Sequence, residues 1–325
     1  MVKLNEIFEI VIENKDWLFS GIGNTIGAAL INNMKKKESI DSYVTNVVNY
    51  NVNVHNSDNP NKVKLDNNVN NEIYKLVDRV ISIYQNHGVA ISQIPSFTDS
   101  DFNFKLSDFK DKNSILEILD NNFIDWTCNT FEVERDWVEG KSNRIYKHIN
   151  YYKNIRSFME KIFELKSLHG NELDVFLIKS GELNPNEYGE NYVIILVRYP
   201  IKKINNTTIY KYMPISTNWD WGYWRSRYQL KAIIYICERL NIFTHSYDML
   251  LDTMYKISSG LVFPQIEIDK LKLGYTWYPE DYIDYTSDSI QAKETEETEL
   301  VRKYFEDEGY LKIFKELKDK YKDIL

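Results

Sequence analysis

Hydrophobic positions along this chain follow two periods, and the change between them divides it. From about residue 71 the period is helical. In "NEIYKLVDRVISIYQNHG", Ile73, Leu76, Val77, Val80, Ile81 and Tyr84 share one face. His87-Gly88 supplies the stop, because glycine just past a helix takes the left-handed backbone turn without a steric penalty. "NSILEILDNNFIDWTCNTF" predicts a second helix, with Ile115, Leu116, Leu119, Phe123 and Trp126 inward. "ERDWVEG" predicts a short turn-helix ending at Gly140, and "NYYKNIRSFMEKIFELKSLHG" a third long helix ending at Gly170.

After Gly170 the pattern becomes extended. "LDVFLIKSG", "NYVIILVRYPI" and "TTIYKYMPIS" predict three strands. Their connections, "ELNPNEYGE" and "KKINN", are turn chemistry, and connections that short favour an antiparallel meander. "NWDWGYWRSRYQLKAIIYICERLNI" then predicts a helix with Leu230, Ile233, Ile234 and Cys237 inward. "SYDMLLDTMYKISSG" predicts another helix, "LVFPQIEI" a strand and "YTWYPEDYIDY" an aromatic loop. From Thr295 to Leu325 runs a charged helix with Leu300, Tyr304, Leu311, Phe314 and Leu317 as its apolar stripe. Its acidic start suits the positive end of a helix dipole.

The first 70 residues read differently. Leu4, Ile7, Phe8, Val11 and Ile12 repeat at helical spacing among glutamates. Trp17 to Met34 then carries no charge for 18 residues and meets Lys35, Lys36 and Lys37. At 1.5 Å per residue this is the lower edge of what a bilayer core of about 30 Å requires. Asn24, Thr25, Asn32 and Asn33 weaken its apolar character, while Gly23 and Gly27 give a small-residue spacing that lets two helices approach. Trp17 suits an interface, and the three lysines favour a cytoplasmic side. The stretch is therefore expected either to associate with a membrane or to pack against its own copies. Next, Val48, Tyr50, Val52 and Val54 alternate with asparagines as a strand, and an Asn-rich linker follows.

The fold class expected is α+β: an N-terminal helical tether, a helical bundle, then an antiparallel sheet packed with helices. The segments are 1–37 for the tether, 38–70 for the strand and linker, and 71–170 for the bundle. Residues 171–290 form the aromatic-rich α+β part and 291–325 the charged helix.

Composition narrows the chemistry. The chain has 325 residues, 43% hydrophobic and 27% charged, which fits a folded body rather than a polytopic membrane protein. A net charge of −8 gives no global polycation for nucleic acid. Cys128 and Cys237 lie far apart in apolar helical patterns, so neither a disulfide framework nor a zinc spacing exists. No P-loop, GxGxxG, GxSxG or HExxH occurs, and no two of the five histidines are spaced as a ligand pair. No cofactor and no catalytic residue is assigned. Glu172, Asp174 and Lys179 give a faint acid-strand-lysine layout of a metal-dependent nuclease, without the Glu-x-Lys that layout needs on a neighbouring strand.

Two stretches concentrate binding chemistry. "WDWGYWRSRYQ" places three tryptophans and two arginines within nine residues. If Asn218 or Asp220 caps the helix, Trp221, Trp224, Arg225 and Tyr228 lie on one side. Such a group suits an aromatic ring, with Arg225 or Arg227 on a phosphate or carboxylate. "YTWYPEDY" adds Trp277 and Glu280, which would close over the first group, and Glu280 or Asp281 is a candidate partner for Arg225 or Arg227. The bland alternative is an aromatic wedge between helix and sheet, with the arginines paired elsewhere.

Two resemblances follow from quoted residues. "DWLFSGIG", residues 16–23, resembles the N-terminal anchors of many uncharacterised bacterial proteins, which implies the cytoplasmic face of the inner membrane, or the cytoplasm. "FIDWTCNTFEVERDWVEG" resembles the closing helices of phage-repressor-type helix-turn-helix domains, through Phe123, Trp126, Phe131, Val133, Trp137 and Gly140. Upstream, Gly88, Ser92, Gln93 and Ile94 match the entry of those domains, so the likeness covers residues 72–140. It implies a transcription regulator, but the recognition-helix stretch carries Asp99, Asp101, Asp108 and Asp111, which would repel phosphates. The reading reached is a membrane-associated sensor, effector or accessory protein with a protein partner or self-association, and with a small-molecule or nucleotide ligand in view. Its layout is similar to accessory components of phage defence. A regulator and a metal-dependent nuclease are the alternatives.

Overall fold

The computed structural model describes residues 67–98, 101–271, 277–283 and 295–322. The expected tether, with Trp17, Gly23, Gly27 and Lys35–Lys37, and the expected strand at 48–54 lie outside the described residues. Among those described, no helix is long and apolar enough to cross a membrane. Residues 65–325 form one compact unit.

Helices come first. They are α1 (Asn67–Asn86), α2 (Ile94–Phe97), α3 (Lys112–Ile118), α4 (Asn121–Phe131), α5 (Arg135–Val138) and α6 (Ile155–His169). Their starts follow side-chain chemistry. Asp111, Asp120 and Asn154 each accept a backbone N–H from the first turn of α3, α4 and α6. Gly88, Gly140 and Gly170 sit at positive φ, as turns that end helical segments require. The α1–α5 helices close around Tyr84, Phe97, Phe123 and Phe131, all essentially inaccessible to solvent. Tyr84 hydroxyl meets Thr127 Oγ1 at 2.8 Å, which satisfies both groups inside that core.

The sheet strands are β1 (Asp174–Lys179), β2 (Tyr192–Ile204), β3 (Thr207–Pro214), β4 (Trp219–Asp220) and β5 (Phe243–Asp248). The order is β3-β2-β1-β5, with β4 pairing the start of β2. β1, β2 and β3 form the expected antiparallel meander, and Asn205, at φ 54, turns the β2–β3 hairpin. β5 pairs with β1 in parallel, so the sheet is mixed. The α+β class holds, while the purely antiparallel sheet does not.

The remaining helices are α7 (Trp224–Arg239), α8 (Leu251–Ser258), α9 (Pro264–Asp269), α10 (Thr295–Asp307) and α11 (Tyr310–Lys320). α6 and α7 cover one sheet face, and Val301, Phe305, Tyr310 and Leu317 of α10 and α11 join the same core. α8 and α9 cover part of the other face, over Phe176, Ile178, Ile194 and Leu196. α6, grouped by sequence with the preceding helices, packs on the sheet. The β2–β3 hairpin reaches the α1–α5 core with Ile204 and Ile209, and Lys202 Nζ donates to the Phe97 carbonyl at 2.9 Å.

Three local expectations are corrected. "SYD" belongs to β5, and only Leu251–Ser258 is helical. "LVFPQIEI" holds a helix, not a strand: Pro264 sits in its first turn, where a missing N–H costs nothing. The C-terminal segment is two helices, broken by Gly309 at φ 71. Leu300 and Leu311 of the expected stripe face outward, and Val301, Phe305 and Tyr310 lie in the core instead.

Candidate functional site

The tryptophan-arginine stretch lies where the sheet hands over to α7. β4 holds Trp219 opposite Val193 and Asp220 opposite Tyr192. The Asp220 carboxylate accepts the Gly189 N–H at 3.0 Å and the Gly222 N–H at 2.9 Å. Burial pushes its carboxyl above the usual range, and those backbone donors work against the rise. Gly222 is required: a Cβ there would collide with the Glu187 carbonyl. Neither Asn218 nor Asp220 is the helix cap, because α7 starts later, with Tyr223 at the N-cap position and no side-chain cap. That shift of register separates the tryptophans expected on one side.

An inner group results. Trp221 is fully buried and its backbone N–H donates to Asn191 O at 2.8 Å. Arg227, 7% exposed, donates from Nη1 to the Trp221 carbonyl at 2.5 Å and from Nε to Glu297 Oε1 at 2.7 Å. Lys231 donates to Glu297 Oε2 at 2.8 Å, and its ammonium lies 5.6 Å from the Trp221 ring centroid. Burial alone would raise the Glu297 carboxyl, but Arg227 and Lys231 outweigh it and hold the group below its usual value. Trp277 is also buried, and Ser246 hydroxyl donates to its carbonyl. Tyr282 stands edge-on between Trp221 and Trp277, at 5.0 and 5.5 Å. The indole N–H groups of Trp219, Trp221 and Trp277 find no hydrogen-bond partner among the described residues, where packing holds these rings.

This corrects most of the proposed ligand set. Trp221, Arg227 and Trp277 are inside the protein, where they join α7, β5 and α10. The expected bond from Glu280 or Asp281 to Arg227 is replaced by Glu297, and Glu280 is exposed. Sequence spacing had offered Glu280 because it lies near Trp277, whereas α10 brings Glu297 from farther along the chain. The alternating "KETEETE" showed acids at a helix start but could not say which one turns inward.

An outer group remains in solvent. Trp224 is 44% exposed and Tyr188 63%. Trp224 stands edge-on to Tyr228 at 5.4 Å and Tyr304 at 6.2 Å, and Arg225 lies 5.0 Å above its ring. Tyr223 connects Trp224 to Tyr188, at 6.4 and 6.0 Å. Burial pushes the Tyr152 phenol up to about 12, with Tyr223, Tyr188 and Tyr304 contributing and Arg225 opposing. Tyr188, Tyr223 and Tyr152 were not singled out from sequence; a general richness in Tyr hid them.

A second polar cluster spans three strands at the other end of the sheet. Asp174 of β1 accepts Arg198 Nε of β2 at 3.0 Å, with Nη2 on the same oxygen, and His245 Nε2 of β5 lies 3.6 Å from it. The Arg198 guanidinium lies 5.0 Å from the Phe176 ring and 4.6 Å from that of Tyr210. Burial raises the Asp174 carboxyl, but His245 and Arg198 more than offset it and the net shift is downward. The carboxylate named for a nuclease is thus held by an arginine, with a histidine beside it. No group of three or more metal-ligating side chains occurs among the described residues. In the stretch expected to hold a recognition helix, the described residues carry only a one-turn helix, Leu106–Phe109.

The chain matches no protein-family model, and neither curated proteins nor solved structures give a significant match.

Proposed function

We propose that this chain is a binding protein, a membrane-associated sensor or accessory component whose α+β part takes up a partner at the outer aromatic surface. Residues 17–37 would attach it to the cytoplasmic face of a membrane or to its own copies. The observation that carries the reading is Trp224. It is a large ring held in solvent by edge contacts to Tyr228 and Tyr304, with Arg225 over its face. Its exposed part is apolar surface whose removal from water on association would be favourable, at about 25 cal/mol per Å². Trp, Tyr and Arg are also the residues that dominate binding energy at interfaces. The inner group supports the same reading by fixing the start of α7, so that little ordering remains to be done on binding.

A photo-reactive residue placed at Tyr188 in the full chain tests this in cells. A discrete crosslinked species is expected there and not from Leu168, which is equally exposed on α6. Trp224→Ala should remove it. A crosslink unchanged by Trp224→Ala would sink the surface as the binding site. Fractionation with and without residues 1–37 tests the attachment, and a full-length chain wholly in the soluble fraction ends the membrane part.

A further inference from the structure

We infer that His87 is an acid-sensitive latch between the α1–α5 bundle and the sheet: its neutral ring ties the end of α1 to the segment joining α5 and α6, and protonation of that ring releases the tie. The inference is independent of the surface at Trp224.

His87 stands one residue past α1, and its ring lies where two cores meet. Phe131, Tyr146 and Phe263 of the bundle core surround it at 4.6, 6.4 and 5.7 Å. Tyr212, from the core under α8 and α9, lies at 6.3 Å. Both ring nitrogens are engaged, and their partners fix the tautomer. The Ile83 carbonyl, 2.6 Å from Nδ1, can only accept, so Nδ1 carries the hydrogen. Nε2 then holds the lone pair and accepts from the Tyr146 hydroxyl at 3.2 Å. Tyr146 is itself a strap. It bridges Val133, just after α4. Its N–H and that of Ile145 both donate to the Gly260 carbonyl beyond α8, at 3.3 and 2.7 Å. A second ring proton would face the Tyr146 hydroxyl, which must then turn its own hydrogen away inside a packed core.

The surroundings offer that charge no partner. Burial keeps Tyr84 of α1 and Tyr146 protonated. From α4, the Cys128 thiol is pushed up to about 11, and Glu132, just beyond, is paired with Lys211 of β3 at 3.1 Å. Burial pushes the Tyr212 phenol up to about 12, with Arg198 of β2 beside it, and Asp269, exposed at the end of α9, acts on Tyr212. Among the described residues, no carboxylate pairs with the His87 ring. Burial holds the imidazole down at about 4; the Ile83 carbonyl works against that fall and Lys211 adds to it. The unfolded chain therefore takes up the proton first. The stability His87 contributes is complete above pH 6.5 and is lost as pH falls toward 4.

Urea unfolding of the full chain at pH 7 and pH 5 tests the latch. The variant is His87→Asn, which cannot titrate and whose amide can still donate to Ile83. Between these two pH values the unfolding equilibrium constant should rise about twentyfold more in the wild type than in the variant. His169, also lowered by burial, responds in both proteins and cancels, and Glu297 responds below this window. Hydrogen–deuterium exchange at pH 5 locates the release. The wild type should exchange faster than the variant at the end of α1, in residues 133–146 and around Gly260, and not in β1. An equal pH response of the two proteins, or faster exchange spread evenly over the chain, overturns the latch. Should His87→Asn fail to fold, the imidazole resonances of the wild type decide. The ring with nuclear Overhauser contacts to Phe131 must stay neutral at pH 5, and its protonation there with the fold intact overturns the proposal.

Discussion

Two halves of one short stretch, Trp219–Arg227, have opposite fates. Trp221 and Arg227 lie inside, bound to Glu297 and Lys231. Trp224 and Arg225 lie in solvent, three and two residues away. Each half holds a tryptophan and an arginine, and each sets a cation near an aromatic ring. What differs is the partner supplied by the rest of the chain. The inner half receives a carboxylate from α10, and the outer half receives only aromatic edges. A buried cation without a counter-charge is costly, so the inner arginine is committed to structure. The outer arginine keeps its donors available. Identical residue types thus divide into a frame and a contact surface.

The largest effect expected from breaking this contrast is at Glu297. Glu297→Ala removes a carboxylate serving both Arg227 and Lys231, whose side chains are buried. Loss of one member of a buried ion cluster costs about 3–5 kcal/mol. Urea denaturation should show that loss, and a change within about 0.5 kcal/mol would show that the inner group does not brace the fold.

Acid should act on the same group. The folded Glu297 carboxyl lies below its ordinary 4.5, so the unfolded chain binds this proton more readily than the folded one. The stability it contributes is therefore complete above pH 4.5 and lost as pH falls through the folded value. Tryptophan fluorescence followed against pH should show an acid transition in the wild type that is flattened in Glu297→Gln. Equal profiles would remove Glu297 from the account.

The smallest expected effect on stability sharpens the comparison most. Arg225→Ala should change unfolding free energy by no more than about 0.5 kcal/mol, as exposed positions do, and Trp224→Ala by about 1–2 kcal/mol, through its edge contacts to Tyr228 and Tyr304. The main consequence of both should appear in binding. A loss of several kcal/mol at either would place the outer half in the frame as well.

Much of this architecture is legible in the pattern of apolar positions. Helical spacing marks α1, α4, α6 and α7, and glycine marks the ends at Gly88, Gly140 and Gly170. Strong aliphatic runs mark β1 and β2. β5 escaped that reading because "FTHSYD" has no aliphatic run; its stability comes from lying beside β1, nearly 70 residues earlier. α9 escaped because "PQIEI" alternates like a strand, while Pro264 begins a helix. The Asp174–Arg198–His245 cluster escaped because its members come from three strands joined by register and not by spacing.

The sequence by itself determined the local periods, the turns, and the concentration of Trp and Arg before α7. These depend on contacts within a few residues, where backbone sterics and side-chain spacing suffice. Only the tertiary structure decided which of those tryptophans and arginines are buried. That choice depends on Glu297 arriving from α10 and on α7 starting after Tyr223, five or three residues later than a cap at Asn218 or Asp220 would give. Trp221 therefore lies before the helix and does not follow its spacing of about 100° per residue, which leaves it free to turn inward.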